Sequence, residues 1–229
     1  MNSNRKTAIV VGALFITATV MPILGTVVLI GPILDDADYL VNVSANENQV
    51  LIGVLFELIA AGAVVGTAIA LFPIFKKHNE GLALGYVGAR TMEGVTLMVA
   101  ALGALLLSTV GREYVATNAS SFQALGTLLL AVRDWNLLLG PNIILGPAAL
   151  MLSYLFFQSR LVPRWLSVWG LIAAPLVLAA GLLHMFDLVT AFSPIKGLLV
   201  LPIALFEMVL AVWLIAKGFN PSAIASKSA

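Results

Sequence analysis

The sequence has 229 residues, of which 61% are hydrophobic and only 10% are charged. Soluble domains carry about a quarter of their residues as charged side chains, so this composition excludes a soluble globular protein and a disordered chain. Twelve Lys and Arg residues against eleven Asp and Glu residues leave a net charge of +1, too small to attract nucleic acid. With no cysteine and two histidines, the chain lacks the ligands of the common zinc and iron–sulfur sites. We expect no metal, no cofactor and no nucleic-acid partner.

Hydropathy divides the chain into six apolar segments. A helix needs about 20 mostly apolar residues to cross roughly 30 Å of hydrocarbon. The segments that meet this requirement are residues 7–30, 49–75, 82–110, 134–158, 163–188 and 196–217. The sequence therefore predicts an all-α, polytopic membrane bundle of six transmembrane helices, with residues 1–229 forming a single integral membrane domain. The first segment is far longer than the apolar region of a signal peptide, so we expect it to remain uncleaved.

Basic residues in the short loops predict the orientation, because cytoplasmic loops carry an excess of Lys and Arg. Eight basic residues fall on one side of the predicted bundle and three on the other. The eight are Arg5, Lys6, Lys76, Lys77, Arg160, Arg164, Lys217 and Lys227, and the three are Arg112, Arg133 and Lys196. Both termini are therefore predicted to be cytoplasmic, in agreement with an even number of spans.

Two loops on the predicted outer side are longer than the others. The first, residues 31–48, contains four acidic residues and no basic residue. The second, residues 111–133, contains an apolar stretch at 122–132 that, joined to the fourth span, is too long for one straight crossing. We predict an extra interfacial helix on the outer leaflet before the fourth span. A long, tilted extension of the fourth span is the alternative.

Four blocks of the sequence are distinctive. They are Arg133-Asp134-Trp135, the run Leu161-Val162-Pro163-Arg164-Trp165-Leu166-Ser167-Val168-Trp169-Gly170, the ending from Phe206-Glu207-Met208 to Lys217-Gly218-Phe219, and the basic loop at Lys76-Lys77. Together they resemble an uncharacterised prokaryotic membrane family known as domain of unknown function 4386. The resemblance covers nearly the whole chain. It implies a multi-pass protein of about six helices in the inner (plasma) membrane of a bacterium or archaeon. It implies no chemistry, so no catalytic residue is carried over.

Polar side chains within the spans are the candidate functional residues. A charged group near the middle of the bilayer costs about 2.5–3.5 kcal/mol, so it usually faces the bundle interior and has a partner. The candidates for ligand binding or proton handling are Glu57, Glu93, Glu207, His184, Asp187, Arg133, Asp134 and Asn136. They come from helices two to six, and most fall in the outer half or near the midplane. This distribution predicts a polar cavity that opens outward; the alternative is a set of unrelated structural pairs.

Two pairs have the spacing of neighbours on one helix face. Arg90 and Glu93 lie three residues apart, which favours a structural ion pair. His184 and Asp187 have the same spacing near the end of the fifth span. A hydrogen bond between them would fix the imidazole, or the two would handle a proton, because histidine titrates near neutral pH.

The remaining carboxylates have no obvious partner along their own helix. Glu57 and Glu207 lack a basic residue one turn away, and a carboxylate buried alone can carry a proton. Arg133 and Asp134 anchor the fourth span at the interface, or Arg133 extends inward to Glu57 or Glu207. Because Glu57, Glu93 and Glu207 have similar depths, we hypothesise that they line a common cavity.

Glycine and proline end or interrupt several spans. Gly31-Pro32 is expected to end the first span. The predicted interruptions are Gly140-Pro141-Asn142 and Gly146-Pro147 in the fourth span, Pro175 in the fifth and Pro202 in the sixth. Broken helices line the binding sites of some transporters, although prolines also kink helices that bind nothing.

Three functions fit this pattern. The expected function is binding or transport of a small amphipathic molecule or lipid, with or without coupling to protons. The expected partners are the lipid bilayer and a second copy of the chain. One alternative is a structural or regulatory membrane subunit without a ligand. The other is an intramembrane lipid-modifying enzyme, but the sequence has no Gly-x-Ser-x-Gly or His-Glu-x-x-His motif.

Overall fold

The computed structural model describes residues 3–225 and is all-helical. Helices make up 88% of the structure, and no strand forms within residues 3–225. Six helices are long and apolar enough to cross a membrane, which confirms the predicted number of spans. They are α1 (Ser3–Leu34), α2 (Glu47–Phe75), α3 (Glu80–Thr117), α4 (Ser120–Ser159), α5 (Arg164–Met185) and α6 (Pro194–Ala216). Two short helices, Tyr39–Ala45 and Pro221–Ala225, complete the structure, and Lys227, used above for the orientation, lies outside the described residues.

The outward-facing surface of the helices is apolar. Side chains that are more than half exposed include Val27, Ile69, Leu84, Leu128, Ile172 and Val212, which together represent all six helices. A soluble monomer does not expose large apolar side chains so widely. These surfaces imply contact with a lipid bilayer, in which helices satisfy their own backbone hydrogen bonds.

The helices pack as a closed ring in chain order. Each helix contacts the next one along the chain, and α6 returns to pack on α1. The start of α1, the end of α6 and the α2–α3 and α4–α5 loops lie together at one end. We name it the basic end because it carries Arg5, Lys76, Lys77, Arg160, Arg164 and Lys217. The opposite end, named the acidic end, carries Asp35, Asp36, Asp38, Glu47, Glu113 and Asp187.

Several predicted boundaries differ from the structure, and three of the differences concern α3, α4 and α5. α3 continues past residue 110 to Thr117, where Asn118 adopts the left-handed conformation with φ of 52° and ends the helix. α4 begins at Ser120 rather than near residue 134, so the segment expected to form a separate interfacial helix is the first part of α4. α5 ends at Met185 instead of residue 188, and Asp187 is left-handed with φ of 56°. Asn and Asp are the residues, besides glycine, that adopt this conformation at least cost.

The long α3–α4 hairpin extends beyond the other helices at the acidic end. With 38 and 40 residues, α3 and α4 are about 57 Å and 60 Å long, roughly twice the thickness of the hydrocarbon core. The short helix Tyr39–Ala45 packs on α3 there. A Cβ atom at Gly111 would lie 2.5 Å from the Leu40 carbonyl oxygen, so glycine is required for this contact.

Two spans contain a π-helical segment, in which the backbone turn is wider than in an α-helix. The first is Ile23–Ile30 in α1, which follows Pro22 and precedes Gly31. The second is Leu139–Ile144 in α4, which contains Gly140 and Pro141. The predicted interruption at Gly140-Pro141 therefore takes the form of a π-helical turn, whereas Gly31-Pro32 follows the first π-helical segment and lies in the last α-helical turn of α1, Gly31–Leu34. Such π-helical turns occur frequently at functional sites.

Candidate functional site

The guanidinium of Arg133 is buried, and both of its terminal nitrogens have acceptors. Its Nη1 donates hydrogen bonds to Glu57 Oε2 at 3.0 Å and to the Ala100 carbonyl oxygen at 2.7 Å, and its Nη2 donates to Glu57 Oε1. Thr26 Oγ1 donates a further hydrogen bond of 2.7 Å to Glu57 Oε1. Arg133 and Glu57 are both 2% exposed. This cluster, which we name the Arg133 cluster, therefore links α1, α2, α3 and α4 by charge-assisted hydrogen bonds.

Close packing of α1 on α2 brings Thr26 to Glu57. The π-helical segment of α1 passes α2 where both helices have glycine. A Cβ atom at Gly25 would lie 2.6 Å from the Gly53 carbonyl oxygen. Any larger side chain at Gly25 would push the two backbones apart and lengthen the Thr26–Glu57 hydrogen bond.

A second arginine, Arg90, has two carboxylates beside it. Arg90 Nη1 donates to Glu93 Oε2 at 3.0 Å, as the spacing of three residues predicts, and lies 3.8 Å from Glu207 Oε1 on α6. The Arg90 guanidinium also stacks over the Phe15 ring at 6.0 Å. Arg90 Nε is buried and has no acceptor among residues 3–225. We name this group the Arg90 cluster.

The three carboxylates expected in one cavity are divided between these two clusters. Glu57 binds Arg133, whereas Glu93 and Glu207 lie beside Arg90. Along α3, the contact at Ala100 is seven residues from Glu93, a separation of about 10 Å. A similar predicted depth in the membrane did not bring the three carboxylates together. Each arginine pairs with carboxylates on its own helix or on a helix that packs beside it.

A pocket of about 660 Å³ lies at the acidic end, between α1, the first part of α4 and the α5–α6 connection. We name it the acidic-end pocket. Its charged and titratable lining residues are Asp35, Arg133, Asp134, His184, Asp187 and Lys196. Its apolar and aromatic walls include Val27, Ile30, Leu138, Trp135 and Phe192. The pocket therefore combines several charges with a large apolar surface, which is typical of a site for an amphipathic molecule.

The expected geometry of His184 and Asp187 is wrong. Because α5 ends at Met185, Asp187 lies beyond the helix and the two residues do not share a helix face. The imidazole instead faces α6, where Lys196 Nζ lies 2.6 Å from His184 Nδ1. Lys196 is the donor in this contact because its ammonium has no lone pair, so Nδ1 acts as the acceptor.

Four of the predicted site residues line the acidic-end pocket: Arg133, Asp134, His184 and Asp187. Asn136 donates to the Val132 carbonyl oxygen on its own helix and does not line the pocket.

Sequence reasoning missed Thr26, Asp35 and Lys196 as site residues. Thr26 carries no charge, and Lys196 was considered only for the orientation. Asp35 directly follows the last residue of α1, and its place beside Asp134 depends on how α1 and α4 pack, which the sequence does not show.

Neither the Arg133 cluster nor the Arg90 cluster has the composition of a common metal site. Within residues 3–225, no three His, Cys, Asp or Glu side chains are placed to hold a metal ion.

The fold and site define a helical membrane protein with six spanning helices and charged groups paired between them. The model of the family described as "Domain of unknown function (DUF4386)" matches residues 10–218, and the chain belongs to this family. No curated protein and no solved structure matches the chain.

Proposed function

We propose that this membrane protein binds a small amphipathic molecule with a positive charge in the acidic-end pocket. The observation that carries the proposal is the lining of the pocket, which brings carboxylates and exposed aromatic rings to one apolar cavity. With the basic end in the cytoplasm, as the loop charges predict, the pocket opens to the outer side of an inner (plasma) membrane. The closed ring of helices supports the view that the chain is a single membrane domain.

The charge balance of the lining favours a cation. Asp35, Asp134 and Asp187 contribute three carboxylates, and Asp35 and Asp134 are close enough to interact electrostatically. The positive charge of Arg133 is compensated by Glu57, so Lys196 is the main opposing charge. A cationic group would relieve the repulsion between neighbouring carboxylates.

The aromatic residues favour an organic cation over a metal ion. Trp135 is 48% exposed and Phe192 is 83% exposed, and both line the pocket. Faces of aromatic rings attract ammonium groups, most strongly where the site is partly desolvated. Val27 and Ile30 on the π-helical segment of α1 would contact the apolar part of the molecule.

Transport is the extension of this proposal. The two π-helical segments flank the pocket, and such turns can change to α-helix by a local shift of hydrogen bonds. A change of this kind in α1 or α4 would alter the pocket that both helices line. Proton coupling would then use Glu207, whose carboxylate is the less completely paired one in the Arg90 cluster.

The test compares two ions of equal size and shape with opposite charge. The full chain, embedded in lipid nanodiscs, is equilibrated with tetraphenylphosphonium or tetraphenylborate, and binding to empty nanodiscs is subtracted. We expect saturable binding of the phosphonium ion only. Asp134→Asn should weaken it about fivefold, the effect of roughly 1 kcal/mol for one partly exposed charge contact.

Asp38→Asn is the matched control. Asp38 lies at the same end of the bundle as Asp134, in the acidic loop after α1, but does not line the pocket, so its loss should change the affinity less than twofold. Equal binding of both ions, or equal effects of the two substitutions, would overturn the proposal. A Trp135→Leu variant separates the aromatic contribution, because it leaves every carboxylate in place.

A structural or regulatory subunit without a ligand is the second candidate. The observation in its favour is that both terminal nitrogens of Arg133 donate to acceptors inside the bundle. This candidate predicts that neither ion binds and that Asp134→Asn alters neither binding nor stability.

A further inference from the structure

A second pocket lies at the basic end, at the other side of the bundle from the acidic-end pocket. It has a volume of about 410 Å³ and lies between the α4–α5 loop and the segment that follows α6. We name it the basic-end pocket. Three cationic residues line it: Arg160, Arg164 and Lys217. Apart from the polar residue Asn220, the remaining lining residues are apolar, aromatic or glycine, and none is acidic.

Among residues 3–225, no carboxylate pairs with these three cations. No salt bridge joins Arg160, Arg164 or Lys217 to an acidic side chain within residues 3–225. Glu80, at the start of α3, is the one acidic residue that the sequence places at this end. The buried arginines of the bundle, by contrast, are each paired with glutamate. A pocket with three uncompensated positive charges attracts an anion.

The backbone around the pocket fixes where the cations lie. Arg160 follows the last residue of α4 and adopts the left-handed conformation with φ of 56°. Asn220 N donates to the Leu161 carbonyl oxygen at 2.8 Å, which ties the segment after α6 to the α4–α5 loop. The Arg164 guanidinium stacks over Phe157 at 5.5 Å. The main-chain contact joins the two segments that carry the cations, and the Phe157 ring lies against the Arg164 guanidinium.

The beginning of α5 adds to the anion preference. Arg164 is the first residue of this 22-residue helix, and the preceding Pro163 makes no side-chain cap hydrogen bond. The N-terminus of a helix presents main-chain N–H groups and favours phosphate or carboxylate. This feature alone would not define a site, but here it coincides with the three cations of the pocket.

Three tryptophans place the pocket at the level of lipid headgroups. Trp213 lines the pocket, and its ring centroid lies 6.3 Å from that of Trp165. The ring centroids of Trp165 and Trp169 are 6.4 Å apart. Tryptophan rings concentrate at the boundary between hydrocarbon and headgroups. An acyl chain could therefore run along the apolar surface of α5 and α6 while its headgroup occupies the pocket.

We propose that the basic-end pocket binds the phosphate group of an anionic phospholipid. Basic pockets between helices on the cytoplasmic side are suited to anionic headgroups, whereas a zwitterionic lipid brings its own positive charge. Arginine donates two parallel hydrogen bonds to phosphate, and lysine adds a point charge. The ligand chemistry is a phosphate monoanion, and the source is the surrounding bilayer rather than the aqueous phase. The proposal is independent of the function proposed for the acidic-end pocket.

Native mass spectrometry of the detergent-purified full chain tests this proposal. The protein is mixed with equal amounts of phosphatidylglycerol and phosphatidylcholine with identical acyl chains. We expect the anionic lipid to be retained at least fivefold more than the zwitterionic one. The double variant Arg164→Gln/Lys217→Gln should reduce this preference below twofold. Arg164→Lys should keep most of it, because the charge remains.

The matched control removes two charges elsewhere at the same end. Lys6→Gln/Lys76→Gln changes the net charge equally but lies outside the pocket, so the preference should stay within twofold of the unmodified chain. Equal losses in both double variants would reduce the effect to diffuse attraction and overturn the proposal. Displacement of the lipid by millimolar inorganic phosphate would assign the pocket to soluble phosphate and overturn the lipid source. Thermal unfolding of each variant without added lipid shows whether a lost preference reflects a lost fold.

Discussion

Two buried arginines are paired in different ways in the two halves of the bundle. Arg133, toward the acidic end, meets one glutamate, and both of its terminal nitrogens donate to that carboxylate. Arg90, toward the basic end, meets two glutamates but binds only Glu93 closely, while Glu207 Oε1 lies 3.8 Å away. One cluster is balanced in charge and the other contains an extra carboxylate.

This difference distinguishes an ion pair that holds helices together from a carboxylate that can gain or lose a proton. A buried ion pair with complete hydrogen bonding holds its helices in one arrangement, and removal of one partner leaves an uncompensated charge. A carboxylate that shares its arginine with a second carboxylate contributes less stabilisation, so its neutralisation costs the fold less. The Arg133 cluster should therefore dominate stability, and Glu207 should be the carboxylate whose charge the fold needs least.

The largest expected effect is on Arg133. Arg133→Leu would leave the Glu57 carboxylate buried without its partner, so we expect the free energy of unfolding to fall by about 3–5 kcal/mol. The measurement is unfolding of the purified protein in mixed micelles at increasing fractions of sodium dodecyl sulfate. Arg112→Leu is the control, because its salt bridge with Glu47 is largely exposed and should contribute less than about 1 kcal/mol.

The double variant Arg133→Leu/Glu57→Leu tests the cause of this loss. If the penalty comes from the orphaned carboxylate, removal of both charges should recover most of the lost stability. A double variant that is as unstable as the single one would show that the shape of the arginine, rather than its charge, holds the four helices.

The sequence predicted the fold well because the constraint on a membrane helix is local. Each span must be long and apolar, and this requirement can be read from hydropathy without knowledge of the neighbours. The boundaries at residues 110 and 188 failed because left-handed residues, Asn118 and Asp187, decide where α3 and α5 end. Nothing in the hydropathy of the flanking residues distinguishes these turns from one more turn of helix.

Some of the polar contacts follow from the sequence, whereas others depend on which helices are neighbours in the bundle. The Arg90–Glu93 pair follows from helical spacing alone. Arg133 could be expected to reach either Glu57 or Glu207, because the choice depends on which helices are adjacent in the ring. Lys196 was missed for the same reason, since its contact with His184 exists only once α6 packs on the end of α5.

A smaller effect is expected within the Arg90 cluster, where the two carboxylates should differ. Glu93→Gln removes the charge that Arg90 binds at 3.0 Å, so we expect a loss of about 1–3 kcal/mol in the free energy of unfolding. Glu207→Gln should change it by less than about 1 kcal/mol, because neutralisation also relieves the repulsion between the two carboxylates. The same titration measures both. Equal losses would mean that the cluster uses both charges structurally, and Glu207 would then be a poor candidate for proton handling.

The smallest expected effect concerns Thr26, whose hydroxyl donates to Glu57 from the π-helical segment of α1. Thr26→Val keeps the shape of the side chain and removes one hydrogen bond, so we expect a loss of about 1 kcal/mol. Thr17→Val is the matched control on the same helix, because the Thr17 hydroxyl bonds only to the Ala13 carbonyl four residues earlier and should contribute little. If the two substitutions had the same effect, Arg133 alone would satisfy Glu57. In that case Pro22 and Gly25, rather than the Thr26–Glu57 hydrogen bond, would determine the geometry of the π-helical segment.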